Sequence, residues 1–143
     1  MNSYEKYLAD LMKQYGLEDR VEFVGRLSAQ QMKEEYLKAN VFALPSTIEN
    51  SPNSLGEAML LGVPCVATLS GGVATMMEHN KEGLIYQSTA SYMLAHYIKY
   101  VFSMGAEAQK MGQAARVHGG KTHDPQANLN RLLEIYTGLS ANR

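Results

Sequence analysis

The sequence is short of the features that announce many functional classes. It has one cysteine, Cys65, so no internal disulfide can form, and its place inside the apolar run Val63 to Ala67 reads as a buried strand thiol. Charged residues are only 19% of the 143, and 13 Lys and Arg nearly balance 14 Asp and Glu, for a formal net charge of -1. Without a basic excess no nucleic-acid partner is expected, and without a polybasic run no acidic membrane surface. No apolar stretch approaches the ~20 residues of a membrane span, and the polar start MNSYEKYLAD is unlike a signal peptide. The expected location is cytoplasmic, with no membrane contact from this segment. His79, His96, His118 and His123 have no ligand spacing, and no Ser-His-Asp or Cys-His arrangement stands out, so no metal is expected. Internal repeats and low-complexity segments are absent too.

What is present is a 45% hydrophobic chain, enough for one core in a single domain over 1–143. Tyr4, Tyr7, Leu8, Leu11, Met12 and Tyr15 form one stripe on a core-facing first helix ending at Gly16. Val21 to Val24 reads as a strand, and Ser28 with Gln31 as a capping box opening a helix to about Ala39, with Met32, Tyr36 and Leu37 facing the core. Val41 to Leu44, closed by Pro45, reads as a strand buried on both faces. Ser51 is the expected N-cap and Pro52 the first residue of a helix to about Leu61, which Gly62 and Pro64 end.

Pro64 to Thr68 is the next strand, and Ser70-Gly71-Gly72 a turn that either admits a ligand close to the backbone or relieves strain. A short helix follows at Met76 and Met77, and Leu84 to Tyr86 makes a last strand. The remainder reads as helical. Ser88 or Thr89 caps a helix carrying Leu94, Ile98, Val101 and Phe102. A second carries Met111, Ala115 and Val117 to a stop at Gly119-Gly120, and a third opens at Asp124-Pro125 with Leu129, Leu132, Leu133 and Tyr136 on one face. The alternation implies an α/β class, a doubly wound parallel sheet of about four strands flanked by helices, with a helical C-terminus.

Two carboxylates, Glu49 and Glu57, stand eight residues apart where the second of these loops meets its helix. The Asn53 and Ser54 amides there would point out of the helix N-terminus at the carboxyl edge of the sheet, which is an anion site, phosphate most naturally. Carboxylates beside it repel phosphate but accept hydrogen bonds from sugar hydroxyls. On spacing alone the pair reads first as solvated acids that favour the helix dipole.

Glu49-x7-Glu57 followed by Ala58-Met59 and Gly62-Val63-Pro64 resembles the signature of retaining glycosyltransferases of the GT-B fold, group 1 or family 4 type. Val21-Glu22-Phe23-Val24-Gly25, the Tyr36 to Ser46 run, Gly71-Gly72 and Gly83-Leu84-Ile85-Tyr86 resemble further parts of that family in the same order. The resemblance implies a partial C-terminal donor-binding domain of an enzyme that moves a sugar from a nucleotide-sugar to an acceptor with retention, in polysaccharide or glycolipid synthesis. It implies that Glu49 touches the hydroxyls of the transferred sugar and is the catalytic carboxylate, and that Glu57 holds the ribose hydroxyls. Ser51, Pro52, Asn53 and Ser54 would meet the diphosphate or sugar, although Pro52 brings no N–H. Gly25, Arg26 and Leu27 would lie on the base side, with Gly71 and Gly72 also in the donor site. The donor is then the only small molecule expected, with no cofactor.

Two departures accompany the resemblance. Val73-Ala74-Thr75 carries no acid where the family usually has Pro-Glu, and neither the family's N-terminal acceptor domain nor its opening strands with their Arg/Lys pair is found. The chain alone is therefore expected to be inactive and to bind donor weakly. Two other readings compete, a catalytically silent nucleotide-sugar-binding or assembly module and a doubly wound signalling domain. Val21 to Val24 is expected to close the gap left by the missing strands by pairing beside Val41 to Leu44, the alternative being a homodimer through the exposed strand edge.

Overall fold

The computed structural model describes residues 3–141 and divides into two compact units, Met1–Met32 and Lys33–Arg143. In the first, α1 (Ser3–Tyr15) ends where Gly16 takes a φ of 62°. The Gly16 amide reaches back to Lys13 (3.3 Å) and the Leu17 amide to Met12 (2.9 Å), the paired bonds of a Schellman cap. The expected core-facing stripe is only half realised. Leu8, Leu11 and Met12 are half-buried, while Tyr4, Tyr7 and Tyr15 stay exposed and α1 buries no residue.

The strand expected at Val21 to Val24 does not form. The segment has no regular secondary structure and lies outside the sheet, and Val21, Phe23 and Val24 are exposed. A strand is stabilised by its ladder, and without a paired neighbour its amides and carbonyls remain with water. The sheet therefore has three strands rather than four, and the expected pairing beside Val41 to Leu44 is absent. The capping box does form: the Ser28 amide donates to Gln31 Oε1 (2.9 Å) and the Gln31 amide to Ser28 Oγ (3.4 Å), opening α2 (Ala29–Lys38). Of its three expected core residues only Tyr36 is buried, and Met32 and Leu37 are exposed.

The second unit is built on β1 (Phe42–Leu44), β2 (Cys65–Thr68) and β3 (Leu84–Tyr86), all parallel in the order β1-β2-β3. Phe42 stands opposite Cys65, and Val66 opposite Leu84. Every residue of β2 is buried, as a central parallel strand requires. Its Cys65 and Ala67 join one core cluster with Leu55, Ala58 and Met59 of α3 (Asn53–Leu60). Its Val66 joins another with Val101 of α5 (Ser91–Met104) and Met111 of α6 (Ala106–Thr122). Between β2 and β3 lies α4 (Val73–Met76), a single turn. Cys65 is the buried thiol its setting suggested, and burial pushes its pKa up to about 12.

Two of the later helix boundaries differ from expectation. α5 begins after Ala90, which has no side-chain cap, instead of at Ser88 or Thr89. α6 runs through Gly119-Gly120 to Thr122, because Gly119 is buried against Met59 and Leu60 and tertiary contact outweighs its poor helix propensity. α7 (Pro125–Ala141) starts as expected, with Asp124 Oδ1 accepting the Ala127 amide at 2.7 Å, but Leu129, Leu132, Leu133 and Tyr136 are all exposed.

The turn before β3 carries a buried carboxylate. Glu82 accepts the Glu78 amide (2.8 Å) and the His118 Nδ1 proton (2.7 Å), joining this turn to α6. Burial opposes its ionisation, yet the His118 and Glu78 hydrogen bonds prevail and hold its pKa below the ordinary 4.5. A depressed carboxyl pKa stabilises the fold above the unfolded value, and that stabilisation is lost as pH falls through the folded one. Chemical-denaturation midpoints should accordingly fall as pH drops below 4.5, and Glu82→Gln should flatten that acid limb. A limb of unchanged slope would contradict the assignment.

Glycine lets α6 reach the turn that ends α3. A Cβ on Gly112 would sit 2.1 Å from the Gly62 carbonyl oxygen, whereas one on Gly120 would meet nothing within 4 Å. Gly112→Ala is expected to destabilise by about 1–3 kcal/mol through overpacking. Gly120→Ala should stabilise by roughly 0.5–1 kcal/mol through helix propensity. Urea midpoints of the two variants give the comparison, and equal shifts would mean that the close approach is unimportant.

Candidate functional site at the carboxyl edge of the sheet

The site is assembled where β1 and β2 end. After Leu44 the chain crosses residues 45–52 and enters α3, so the helix N-terminus opens at the strands' carboxyl edge. The loop is pinned at both ends. Near its start the Ser46 carbonyl accepts the hydroxyl of buried Thr68 at the end of β2 and that of Ser70 at 3.2 Å. Further on, the Asn50 carbonyl accepts the Gly72 amide at 2.6 Å.

Gly71 and Gly72 press directly on the backbone of the Glu49 loop. Gly71 has a φ of 50°, and a Cβ there would lie 1.9 Å from the Glu49 carbonyl oxygen. One on Gly72 would lie 2.6 Å from the Asn50 oxygen. Of the two roles open to this glycine pair, the geometry supplies at least the structural one: it seats Glu49.

Ser51 does not cap the helix. Its hydroxyl turns to Met76 Sδ (3.7 Å), and Pro52, in extended conformation, occupies the N-cap position without a side-chain bond. The helix thus begins one residue later than expected, at Asn53. The Leu55 and Gly56 amides turn back to the Pro52 carbonyl, while those of Asn53 and Ser54 have no acceptor among the described residues. Glu49 is half-buried and its carboxylate has no hydrogen bond or ion pair among the described residues. Glu57 is exposed, and Tyr36 Oη lies 3.4 Å from its Oε2.

Glu49, Ser51 to Ser54, Glu57, Gly71 and Gly72 thus all belong to one strand-edge assembly of the second unit. Gly25, Arg26 and Leu27 belong to the first unit. There Gly25 has a φ of 67°, and Arg26 is exposed with no ion pair among the described residues. Sequence reasoning missed Thr68, Ser70 and the Asn50 carbonyl as supports of the loop, and it took Tyr36 for a core residue alone. The phenol oxygen was the available signal, since a buried tyrosine hydroxyl needs a partner. Among the described residues no three His, Cys, Asp or Glu side chains form a metal-holding group. A cleft of about 470 Å³ lies elsewhere, at the amino ends of β1 and β2, and is lined by Asn40, Pro64, Phe102 and Gln109 but by neither glutamate.

A parallel sheet with free helix amides and two carboxylates at its carboxyl edge defines a doubly wound domain suited to an anionic ligand that also bears hydroxyls. Comparison with known proteins makes the class specific: the chain belongs to the family described as glycosyl transferases group 1, which matches residues 2–118. WcaL of Escherichia coli K12, whose name assigns it to colanic acid biosynthesis as a glycosyltransferase, is 36% identical over 98 residues. That match covers 64% of this chain and 24% of WcaL.

Among solved structures, sucrose-phosphate synthase from Thermosynechococcus elongatus is similar at a TM-score of 0.87 and 26% identity, over 99% of this chain and 36% of that one. HepE of Anabaena, solved in complex with UDP-glucose, is similar at 0.86 and 25% identity, over 94% of this chain and 37% of its own. The chain therefore spans about a quarter to just over a third of the length of these three relatives. The fold is that of GT-B glycosyltransferases, and a signalling domain alike only in fold is displaced by the family match.

Gly71→Ala tests the seating of Glu49. Both the clash and the positive φ oppose a side chain, so a loss of about 1–3 kcal/mol is expected. Backbone amide signals of Glu49 and Asn50 should move while those of α5 stay. If the loop signals do not shift, Gly71 does not hold the loop.

Proposed function

We propose that this chain is part of the donor-binding domain of a retaining glycosyltransferase, one that passes a sugar from a nucleotide-sugar to an acceptor. The observation that carries the reading is the convergence on one helix start of two unpartnered amides, at Asn53 and Ser54, with Glu49 on one side and Glu57 a turn inside. The amides and the positive end of the helix dipole suit a diphosphate, and the acids suit hydroxyls. In the proposed arrangement Glu49 takes hydroxyls of the transferred sugar and Glu57 those of the ribose. Ser51, Pro52, Gly71 and Gly72 complete the donor site within the second unit.

Catalysis in this scheme is positioning together with electrostatic stabilisation of the departing diphosphate, with no metal. The UDP-glucose of the HepE complex supports a nucleotide-sugar as donor, and the name of WcaL supports a place in polysaccharide or glycolipid synthesis. The proposed location is the cytoplasm, and an acceptor-binding domain outside these residues completes the enzyme.

The chain alone is expected to bind donor weakly, because no basic pair stands at the helix start. Each absent charge-assisted bond, worth about 1.5–3 kcal/mol, lowers affinity roughly ten- to a hundredfold. In an NMR titration with UDP-glucose and GDP-mannose, amide shifts should centre on Asn53 and Ser54, and Glu57→Ala should weaken binding by about the same factor. Shifts confined to the Leu84–Tyr86 strand, or micromolar affinity unaffected by Glu57→Ala, would overturn the reading.

A further inference from the structure

We propose that Tyr36 is a positioning residue for the donor site: its hydroxyl, held rigidly at the end of α2, presents the Glu57 carboxylate to the ligand. The inference rests on the reading of Glu57 as the ribose-holding acid. Tyr36 is only 5% exposed, and its ring packs edge-on against Phe42 with centroids 5.5 Å apart at 65°. The ring is thereby fixed while its hydroxyl emerges at the first turn of α3. There it donates to the Ser54 carbonyl at 3.1 Å and lies 3.4 Å from Glu57 Oε2.

Glu57 has no other side-chain partner among the described residues, and a solvent-facing glutamate samples several rotamers. A donor on a locked ring narrows that set before ligand arrives, so less ordering remains to be done on binding. The hydroxyl has a single proton, which it shares between the Glu57 carboxylate and the nearer Ser54 carbonyl in the first turn of α3. Burial, and next the Glu57 carboxylate, push the phenol up to about 12, so it stays protonated and able to donate throughout the neutral range.

A purely structural tyrosine would fill this space equally well as phenylalanine. Tyr36→Phe keeps the ring and removes only the hydroxyl, which makes it the decisive variant. The full chain is titrated with UDP and GDP and with their 2′,3′-dideoxy counterparts, which lack the hydroxyls assigned to Glu57. The unmodified chain should prefer the ribonucleotide. Tyr36→Phe should weaken ribonucleotide binding about three- to tenfold, as loss of one hydrogen bond does, while leaving the dideoxy compound unaffected. In a Glu57→Gln background the same change should have little further effect.

If the unmodified chain prefers the ribonucleotide and Tyr36→Phe keeps that preference, the positioning role fails and the reading of Glu57 stands. If the unmodified chain shows no preference, or no binding, both fail together. A Tyr36→Phe chain that loses affinity for both nucleotides alike, that loses it equally in the Glu57→Gln background, or that does not fold, marks a structural tyrosine and overturns the proposal.

Discussion

The hydrogen bond from the Gly72 amide to the Asn50 carbonyl, with the two glycines flat against the backbone of Glu49 and Asn50, is the contact on which the site depends. Residues 45–52 have no regular structure, and a loop of that length holds one conformation only if its polar groups are tied. The turn after β2 ties them. It can approach so closely because neither glycine has a side chain, and Gly71 reaches its left-handed conformation with little strain. Thr68 and Ser70 hold the front of the same loop through Ser46, so the end of β2 acts as a template for the chain leaving β1. Glu49 owes its place to a strand that comes later in the sequence.

The position of α3 depends in turn on burial. Leu55, Ala58 and Met59 face Cys65 and Ala67 across one side of β2, and α6 closes over the same helix from beyond. Full burial of a Leu or Met contributes about 1.5–3 kcal/mol each, so these contacts far outweigh anything the helix start supplies for itself. That start has no capping side chain, yet the helix is held firmly from its other end. The Schellman bonds of Gly62 and Val63 to Met59 and Ala58 lead straight into β2, and Gly112 lets α6 pass directly over that turn.

Polar groups divide accordingly. Buried side chains are satisfied: away from the site Glu82 has the Glu78 amide and His118, and beside it Thr68 has Ser46. Among the described residues no buried side-chain nitrogen or oxygen is left without a partner. At the carboxyl edge, by contrast, the Asn53 and Ser54 amides and the Glu49 carboxylate have no partner among the described residues. A helix end left without its own cap leaves its donors free for another acceptor, which is the physical basis of the proposed site.

Much of this was legible locally. The strands before Pro45 and after Pro64, the glycine at the end of α3, the Ser28–Gln31 box and the Asp124 cap each appear in the structure, because strands and helix termini are read from neighbouring residues, although the first strand is shorter than its run and only Leu44 in it is buried. The spacing of Glu49 and Glu57 across a loop and helix start was equally visible, as was the family they resemble. Decisions between distant segments were not. Val21 to Val24 has strand composition but no strand beside it, α1 has a stripe that buries nothing fully, and Gly119-Gly120 sits in unbroken helix because Met59 and Leu60 pack on it. Ser51 left its capping role for Met76, which lies 25 residues away, and Tyr36 turned from a core residue into the neighbour of Glu57. By itself the sequence determined the order and kind of every element except the strand expected at Val21 to Val24, and the chemistry of the residues between them. Only the tertiary structure decided which runs pair, which faces are covered and which side chains meet, because those depend on contacts that no local window contains.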